Sequence, residues 1–324
     1  MHESSTKKVS VILPVYNAEK YVGKAIQSIL NQTHKNLELV VINDGSTDKS
    51  LKIINKYKKS DGRIVLIDRE NRGLVSTLNE ALKLSTGEYI MRMDADDISV
   101  DTRIELQLNV FKLNPSCALT GCFVEVIDEQ DNRIEDDPRP SSSYGVKLFE
   151  GYGCAIGSPT MMFRRNLVKE IGGFSEESWP AEDYEWQTRI LSQKGAELTI
   201  IPKQLYKYRI NGQGISQQNH RLQALATVKY GNLARKTLLT SEWRYTTYSG
   251  HRDWLNDVKQ WNDLATRKRM MDIYYTTQLW FRQDDIKLNA IKNTVLLFLY
   301  TIVSNPKDIK LCLNRPKSHY IPNE

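Results

Sequence analysis

Three carboxylates fall within four positions at Asp94-Ala95-Asp96-Asp97, directly after the largely apolar run Tyr89-Ile90-Met91-Arg92-Met93. Such a run reads as a buried strand. Acidic side chains grouped at a strand end repel one another, and a bound cation is the usual compensation. Hard oxygen ligands suit Mg²⁺ or Mn²⁺, above all where a phosphate completes the shell. Three chemistries compete for this stretch. Asp101-Thr102-Arg103 could open a helix whose first turn simply favours acids. A calcium loop would use Asp94, Asp96 and Glu105 at positions one, three and twelve, but it needs Gly at position six, where Ser99 stands, and a ligand at position five, where Ile98 stands. A D-x-D pair holding a metal–diphosphate is the third. It requires a nucleotide site upstream and a base downstream.

A second acidic stretch is Trp179-Pro180-Ala181-Glu182-Asp183-Tyr184-Glu185-Trp186. Glu182 and Asp183 open a predicted helix that buries Trp186, Ile190 and Leu191, a place where the helix dipole favours acids.

The elements that must position these groups follow from periodicity. Val9 to Val15 is a buried strand ended by Tyr16-Asn17, and a helix follows with Val22, Ala25, Ile26, Ile29 and Leu30 at helical spacing. Leu37 to Ile42 is a second strand. It runs into Asn43-Asp44-Gly45-Ser46-Thr47-Asp48, where Gly45 permits a tight turn and Ser46 or Thr47 can cap the next helix. Ile64 to Ile67 is a third strand. Asn71-Arg72-Gly73 then leads into a helix over Leu74 to Leu84. Four strand–helix alternations argue a doubly wound, mostly parallel α/β sheet, in which ligands bind at the carboxyl ends of the strands. Pro14, Tyr16, Asp44, Arg72 and Asp94 to Asp97 should therefore meet in one crevice. Downstream, a helix over 103–113, a strand over Ala118 to Ile127 and a Pro/Ser-rich loop over Asp136 to Gly145 are expected.

Val-Ile-Leu-Pro-Val-Tyr-Asn, Asn-Asp-Gly-Ser-Thr-Asp, Asn-Arg-Gly and Met-Asp-Ala-Asp-Asp, in that order, resemble the inverting glycosyltransferases of family 2, with the GT-A fold. Gly157-Ser158-Pro159-Thr160 and Gly172-Gly173-Phe174 are also similar to that family, so the resemblance covers roughly residues 8–216. It implies a nucleotide-sugar donor, usually UDP-linked, and a divalent metal, Mn²⁺ or Mg²⁺. Carried over, Tyr16 would lie against the base with Pro14 on the same side, and Asp44 would accept the uracil N3–H. A ring face suits a base plane and a carboxylate suits that donor. Arg72 would approach the nucleotide. Asp96 would bind the metal bridging the diphosphate, with Asp94 towards the ribose or the metal shell, and Asp97 would support them. Asp183 resembles the catalytic base, which leaves Glu182 and Trp179 on the acceptor side. Lys207 to Ser216 resembles the loop that closes over the diphosphate. Two positions depart from the pattern: Leu78 and Asn211 stand where relatives often carry Arg and His.

The chain has 324 residues and a net charge of +6, unevenly spread. Residues 1–219 carry 28 basic and 30 acidic side chains, whereas residues 220–324 carry 17 and 9. We therefore expect a glycosyltransferase domain over 1–218 and a basic, aromatic-rich helical extension over 219–324, with helices near Ala224 to Leu233, Trp254 to Leu264, Met270 to Phe281 and Ile286 to Val303. The extension either packs its own core or docks on an anionic membrane surface. Nucleic acid is not an expected partner, since no recognition motif accompanies the charge. Cys117, Cys122, Cys154 and Cys312 have no metal or disulfide spacing, the N-terminus has no signal-peptide core, and Val295 to Val303 is half a membrane span. A cytoplasmic protein, with the inner membrane face as an alternative site, is expected.

The expected reaction is transfer of one sugar from a UDP-sugar to a hydroxyl of a glycan or lipid-linked acceptor, in surface polysaccharide synthesis. No Q-x-x-R-W follows the base, which speaks against processive polymerisation. Two alternatives belong to other classes. A sugar-1-phosphate nucleotidylyltransferase should show a Gly-rich loop with basic residues after the first strand, where Pro14-Val15-Tyr16-Asn17 stands. A non-catalytic sugar-binding relative would be expected to lack Asp96 or Asp183, and both are present.

Overall fold

In the computed structural model, described for residues 7–240 apart from 138, 142, 152, 194 and 213, strands and helices alternate from the start. The order is β1 (Val9–Val15), α1 (Val22–Leu30), β2 (Leu37–Asp44), α2 (Ser50–Ser60), β3 (Ile64–Arg69), α3 (Leu74–Leu84) and β4 (Tyr89–Arg92). There follow β5 (Ile98–Ser99), α4 (Arg103–Leu113), β6 (Cys117–Ile127), β7 (Arg133–Asp137) and α5 (Ser143–Glu150). The last elements are β8 (Met162–Arg164), α6 (Arg165–Ile171), α7 (Glu182–Leu191), β9 (Glu197–Arg209), α8 (Ile215–Gln218) and α9 (His220–Thr240).

The strands form one sheet in the order β3-β2-β1-β4-β8-β6-β9-β5, with β7 paired to β6. β3, β2, β1 and β4 are parallel, so their carboxyl ends share one edge. β8 then inserts antiparallel between β4 and β6, and β9 pairs parallel with β6. Alternation sorts the core into two layers. Val9, Val11, Leu13 and Met91 face one side with α1 and α4, while Ile12, Val40, Ile42 and Ile90 face the other with α3, Trp186 and Ile190. The helical spacing in α1 is used as expected: Val22, Ala25, Ile26 and Ile29 are all buried.

Gly45 has φ +72°, and a Cβ there would come within 2.5 Å of the Asn71 amide nitrogen. The turn after β2 therefore packs directly on the turn after β3. The cap expected of Ser46 or Thr47 takes another form. Ser46 Oγ accepts the Asn17 amide at 3.0 Å, and Asp48 Oδ1 accepts the Ser50 amide at 2.9 Å where α2 begins. The Pro/Ser-rich stretch 136–145, expected as a loop, instead completes β7 at Asp137 and opens α5 at Ser143. The end of α5 is held by distant groups, since Tyr184 Oη donates to the Glu150 carbonyl and the Ala155 amide donates to Glu150 Oε1 at 2.6 Å. Of the helices expected in the extension, the one near Ala224 to Leu233 lies inside α9; the other three lie outside the described residues. No described helix is long and apolar enough to cross a membrane.

Candidate active site

The first three turns on the carboxyl edge make a rigid shelf. Tyr16 follows β1 one step beyond the Val15–Asn43 pair and leaves its ring 55% exposed, available to a flat ligand. Pro14 lies inside β1, opposite Ile42, and positions the turn from below. Asp44 is buried, and its carboxylate is largely committed to the neighbouring turn. Oδ1 accepts the Arg72 amide at 2.8 Å and pairs with Arg69, while Oδ2 accepts the Gly73 amide at 3.0 Å. A carboxylate has about four lone-pair sites, so one remains on Oδ2 for a further donor. Arg69 itself is shared with Glu80 and Thr77. The Arg72 side chain is exposed, and with Glu80, Lys83 and Glu176 it lines a groove along α3.

The acids after β4 are sorted by their partners. Asp97 is turned inward, accepting Tyr206 Oη at 2.7 Å and the Arg209 amide at 2.7 Å, so it anchors the loop. Asp94 and Asp96 stay half-buried just beyond the end of β4. Arg92 Nη2 donates to Asp94 Oδ1 at 3.1 Å, and Asn211 Nδ2 donates to Asp96 Oδ2 at 2.7 Å. Burial, and then the charge of Asp94, push the Asp96 carboxyl up to about 6. Each acid keeps an oxygen free of these bonds. A divalent cation fits that pair chemically, because it would relieve the repulsion and draw its other ligands from phosphate and water. Among the described residues no group of three His, Cys, Asp or Glu side chains could hold a metal without such help.

Lys207 to Arg209, expected in a closing loop, instead finish β9, and the Arg209 side chain is fully buried. Its Nε donates to the Asp96 carbonyl at 2.7 Å, Nη1 donates to the Asp128 carbonyl at 2.6 Å, and the guanidinium lies over the Tyr21 ring. Arg209 therefore clamps the loop that carries Asp94 and Asp96 and leaves Asn211 to reach Asp96. Leu78 is fully buried in the core, so α3 offers no cation at that position.

Glu182 and Asp183 begin α7, with Ala181 at its N-cap. Glu182 is buried, and burial together with the neighbouring Asp183 charge pushes its carboxyl up to about 7. Asp183 is half-buried, and burial raises its carboxyl too, against the opposing charge of Arg92. Its Oδ1 accepts the Tyr184 amide at 2.8 Å, and the Cys154 thiol also hydrogen-bonds the carboxylate. Trp179, 44% exposed, precedes the pair and presents a ring at the rim. Helix α9 braces this turn: Gln223 Nε2 donates to the Pro180 carbonyl at 3.1 Å, and Tyr230 meets Tyr184 edge-on at 6.1 Å, against Ala181.

Arg92 and Arg69 were not singled out from sequence. Arg92 is a lone cation in an apolar run, which is a signal that could mark it, whereas Arg69 falls beyond the run Ile64 to Ile67 and carries none. Arg92 is buried among Asp94, Glu182 and Asp183, and links the two acidic stretches electrostatically.

Known proteins resemble this chain in sequence and in fold. A glycosyltransferase from Haemophilus influenzae, itself uncharacterised, is 36% identical over 223 residues, 65% of this chain and 68% of its own. Across the first curated relatives the chain spans from 30% to 70% of their length. Among solved structures, S. aureus TarS 1–349 in complex with UDP-GlcNAc aligns with a TM-score of 0.52 at 19% identity, over 78% of this chain and 79% of that one. The mannosyltransferase PcManGT from Pyrobaculum calidifontis, in complex with GDP-Man and Mn²⁺, aligns with a TM-score of 0.57 at 17% identity, over 97% and 89%. Both show the GT-A type of fold. The model of glycosyl transferase family 2 matches residues 10–172, from the first strand through the D-x-D to the end of α6, and the chain belongs to that family as a glycosyltransferase.

Proposed function

We propose that the chain moves one sugar from a UDP-sugar to a hydroxyl of a glycan or lipid-linked acceptor, inverting the anomeric carbon. The carrying observation is that the exposed Tyr16 ring, the D-x-D acids and the acid pair that opens α7 all belong to the carboxyl edge of one sheet and the face beside it. Neighbours solved with UDP-GlcNAc and with GDP-Man support a nucleotide-sugar donor.

On this reading Tyr16 stacks on the base and Asp44 accepts its N–H through the remaining Oδ2 lone pair. Arg72 steers the diphosphate by charge from the rim. Asp94 and Asp96 would hold Mn²⁺ or Mg²⁺, and such an ion supplies compensation for the negative charge of the leaving nucleotide. Asp183 takes the acceptor's proton on its carboxylate as the acceptor oxygen attacks the face opposite the leaving group. Glu182 and Trp179 orient the acceptor, the ring offering an apolar face to a sugar. The single displacement converts an α-linked donor into a β-linked product. Residues 220–324 would contribute a bracing helix and, through their basic excess, a peripheral membrane contact.

The test is donor hydrolysis and thermal shift in Mn²⁺ with a panel of UDP-sugars and GDP-mannose, followed by NMR of the anomeric product. Preference for a UDP-sugar and a β-product is expected. A retained α-configuration, or a protein indifferent to every nucleotide-sugar, refutes the proposal.

A further inference from the structure

Arg92 is the last residue of β4, opposite Ile12, and its side chain is 4% exposed. Nη2 is spent on Asp94, but Nε and Nη1 meet no hydrogen-bond partner among the described residues. Leaving buried, charged donors unsatisfied is costly, and these stand beside the half-buried Asp94 carboxylate, so they point to atoms that a ligand brings. Strand alternation puts Arg92 on the side of Ile90, the layer that packs against Trp186 and Ile190 of α7. Glu182 and Asp183 start that same helix, and with Asp94 they are the anions whose charge reaches Arg92.

Arg92 is matched by Asp94, Glu182 and Asp183, so the pocket offers no cationic excess to a carboxylate. A neutral polyol suits it. Each hydroxyl can accept from a guanidinium N–H and donate its own proton to an adjacent carboxylate. We propose that Arg92 is a specificity-determining contact for the transferred sugar, with Nε and Nη1 donating to its hydroxyl oxygens while Asp94 and Glu182 accept the hydroxyl protons. This rests on the nucleotide-sugar reading above. It adds a residue that reads the sugar separately from those that hold the nucleotide.

The test compares wild type, Arg92→Lys and Arg92→Gln by calorimetry in Mn²⁺, with UDP, UDP-GlcNAc, UDP-glucose, UDP-galactose, GDP and GDP-mannose as probes and melting temperature as the fold control. Bare diphosphate affinity should be retained in both variants. The tighter binding of the preferred sugar-nucleotide over its diphosphate should fall by about 10- to 100-fold in Arg92→Gln, as expected for lost hydrogen bonds to a charged group. Arg92→Lys should recover only part of it, because an ammonium cannot copy the planar fork. If Arg92→Gln does not fold, Arg92→Lys carries the comparison through the lost discrimination between UDP-glucose and UDP-galactose. Equal losses for UDP and UDP-sugars would overturn the proposal, because Arg92 would then act only by holding Asp94; unchanged sugar discrimination would overturn it too. A wild type that binds no nucleotide or sugar-nucleotide refutes the donor reading itself, and that result is visible before any variant is made.

Discussion

Replacing Glu182 with Gln should make the metal-free protein more stable at alkaline pH and leave it unchanged at acid pH. Glu182 is 5% exposed, and its carboxyl moves from 4.5 to about 7 on folding, chiefly by burial and then by the charge of Asp183. A group with a raised pKa binds its proton more tightly in the folded state. Its stabilising contribution is complete below the unfolded value and disappears as pH rises through about 7. At about 1.36 kcal/mol per pKa unit, the contribution at stake is on the order of 3 kcal/mol. Glutamine keeps the shape but never ionises, so this loss is absent from the variant. The stability of Glu182→Gln minus that of wild type should therefore rise from near zero at about pH 4.5 to roughly 3 kcal/mol by about pH 8. The same substitution lightens the load on Asp183, so the two effects share a sign. Urea unfolding in EDTA across that range measures it, and Asp96, identical in both proteins, cancels from the difference. A flat difference across the range would show that Glu182 is not titrating in a buried, acid-flanked site.

Asp183→Asn should leave donor binding intact and lower turnover by about 10²- to 10⁴-fold, the usual worth of a general base; near-wild-type turnover with saturating acceptor places the base elsewhere. Asp96→Ala should abolish the Mn²⁺-dependent part of UDP binding while melting temperature holds, and calorimetry with unchanged UDP affinity in Mn²⁺ refutes the metal assignment. Tyr230→Ala removes a buried ring from the brace on α7 and should cost about 3 kcal/mol, with a larger relative fall in kcat than in donor affinity; an unchanged kcat at saturating substrate would make α9 a bystander to catalysis. Vesicle flotation of the full chain should show binding to anionic lipid that weakens with salt over a Debye length of roughly 8–10 Å, and no binding at low salt would remove the membrane role proposed for residues 220–324.

The parallel half of the sheet was legible because its signals are local. Val11 to Val15 and Leu39 to Ile42 are unbroken apolar runs, and the residues after them are turn-formers that end each strand at the same edge. The elements that escaped depend on distant partners. β8 has three residues and exists because Met162 and Phe163 slot between β4 and β6. α5 forms in a Ser/Pro-rich stretch because Tyr184 and Ala155 satisfy its end. Among site residues, Asp94 and Asp96 announce themselves by spacing. Sequence could not say that Asp44 spends most of its carboxylate on Arg72, Gly73 and Arg69, or that Arg209 faces inward. Such choices are made by long-range pairing, where local propensity has no vote.

The two loops beneath Tyr16 are buckled together on both sides. Asn17 Oδ1 accepts the Thr47 amide and Ser46 Oγ accepts the Asn17 amide; Asp48 Oδ2 accepts the Glu19 amide and Glu19 Oε2 accepts the Lys49 amide, each between 2.9 and 3.0 Å. A ligand landing on this shelf has little chain left to immobilise, so the conformational entropy that loop ordering usually subtracts from affinity is already settled in the empty protein. Nucleotide binding should then carry the calorimetric signature of a preformed surface: a heat-capacity change no larger than the apolar area of one base would produce, and slow hydrogen exchange of the Asn17 and Thr47 amides before any ligand is added.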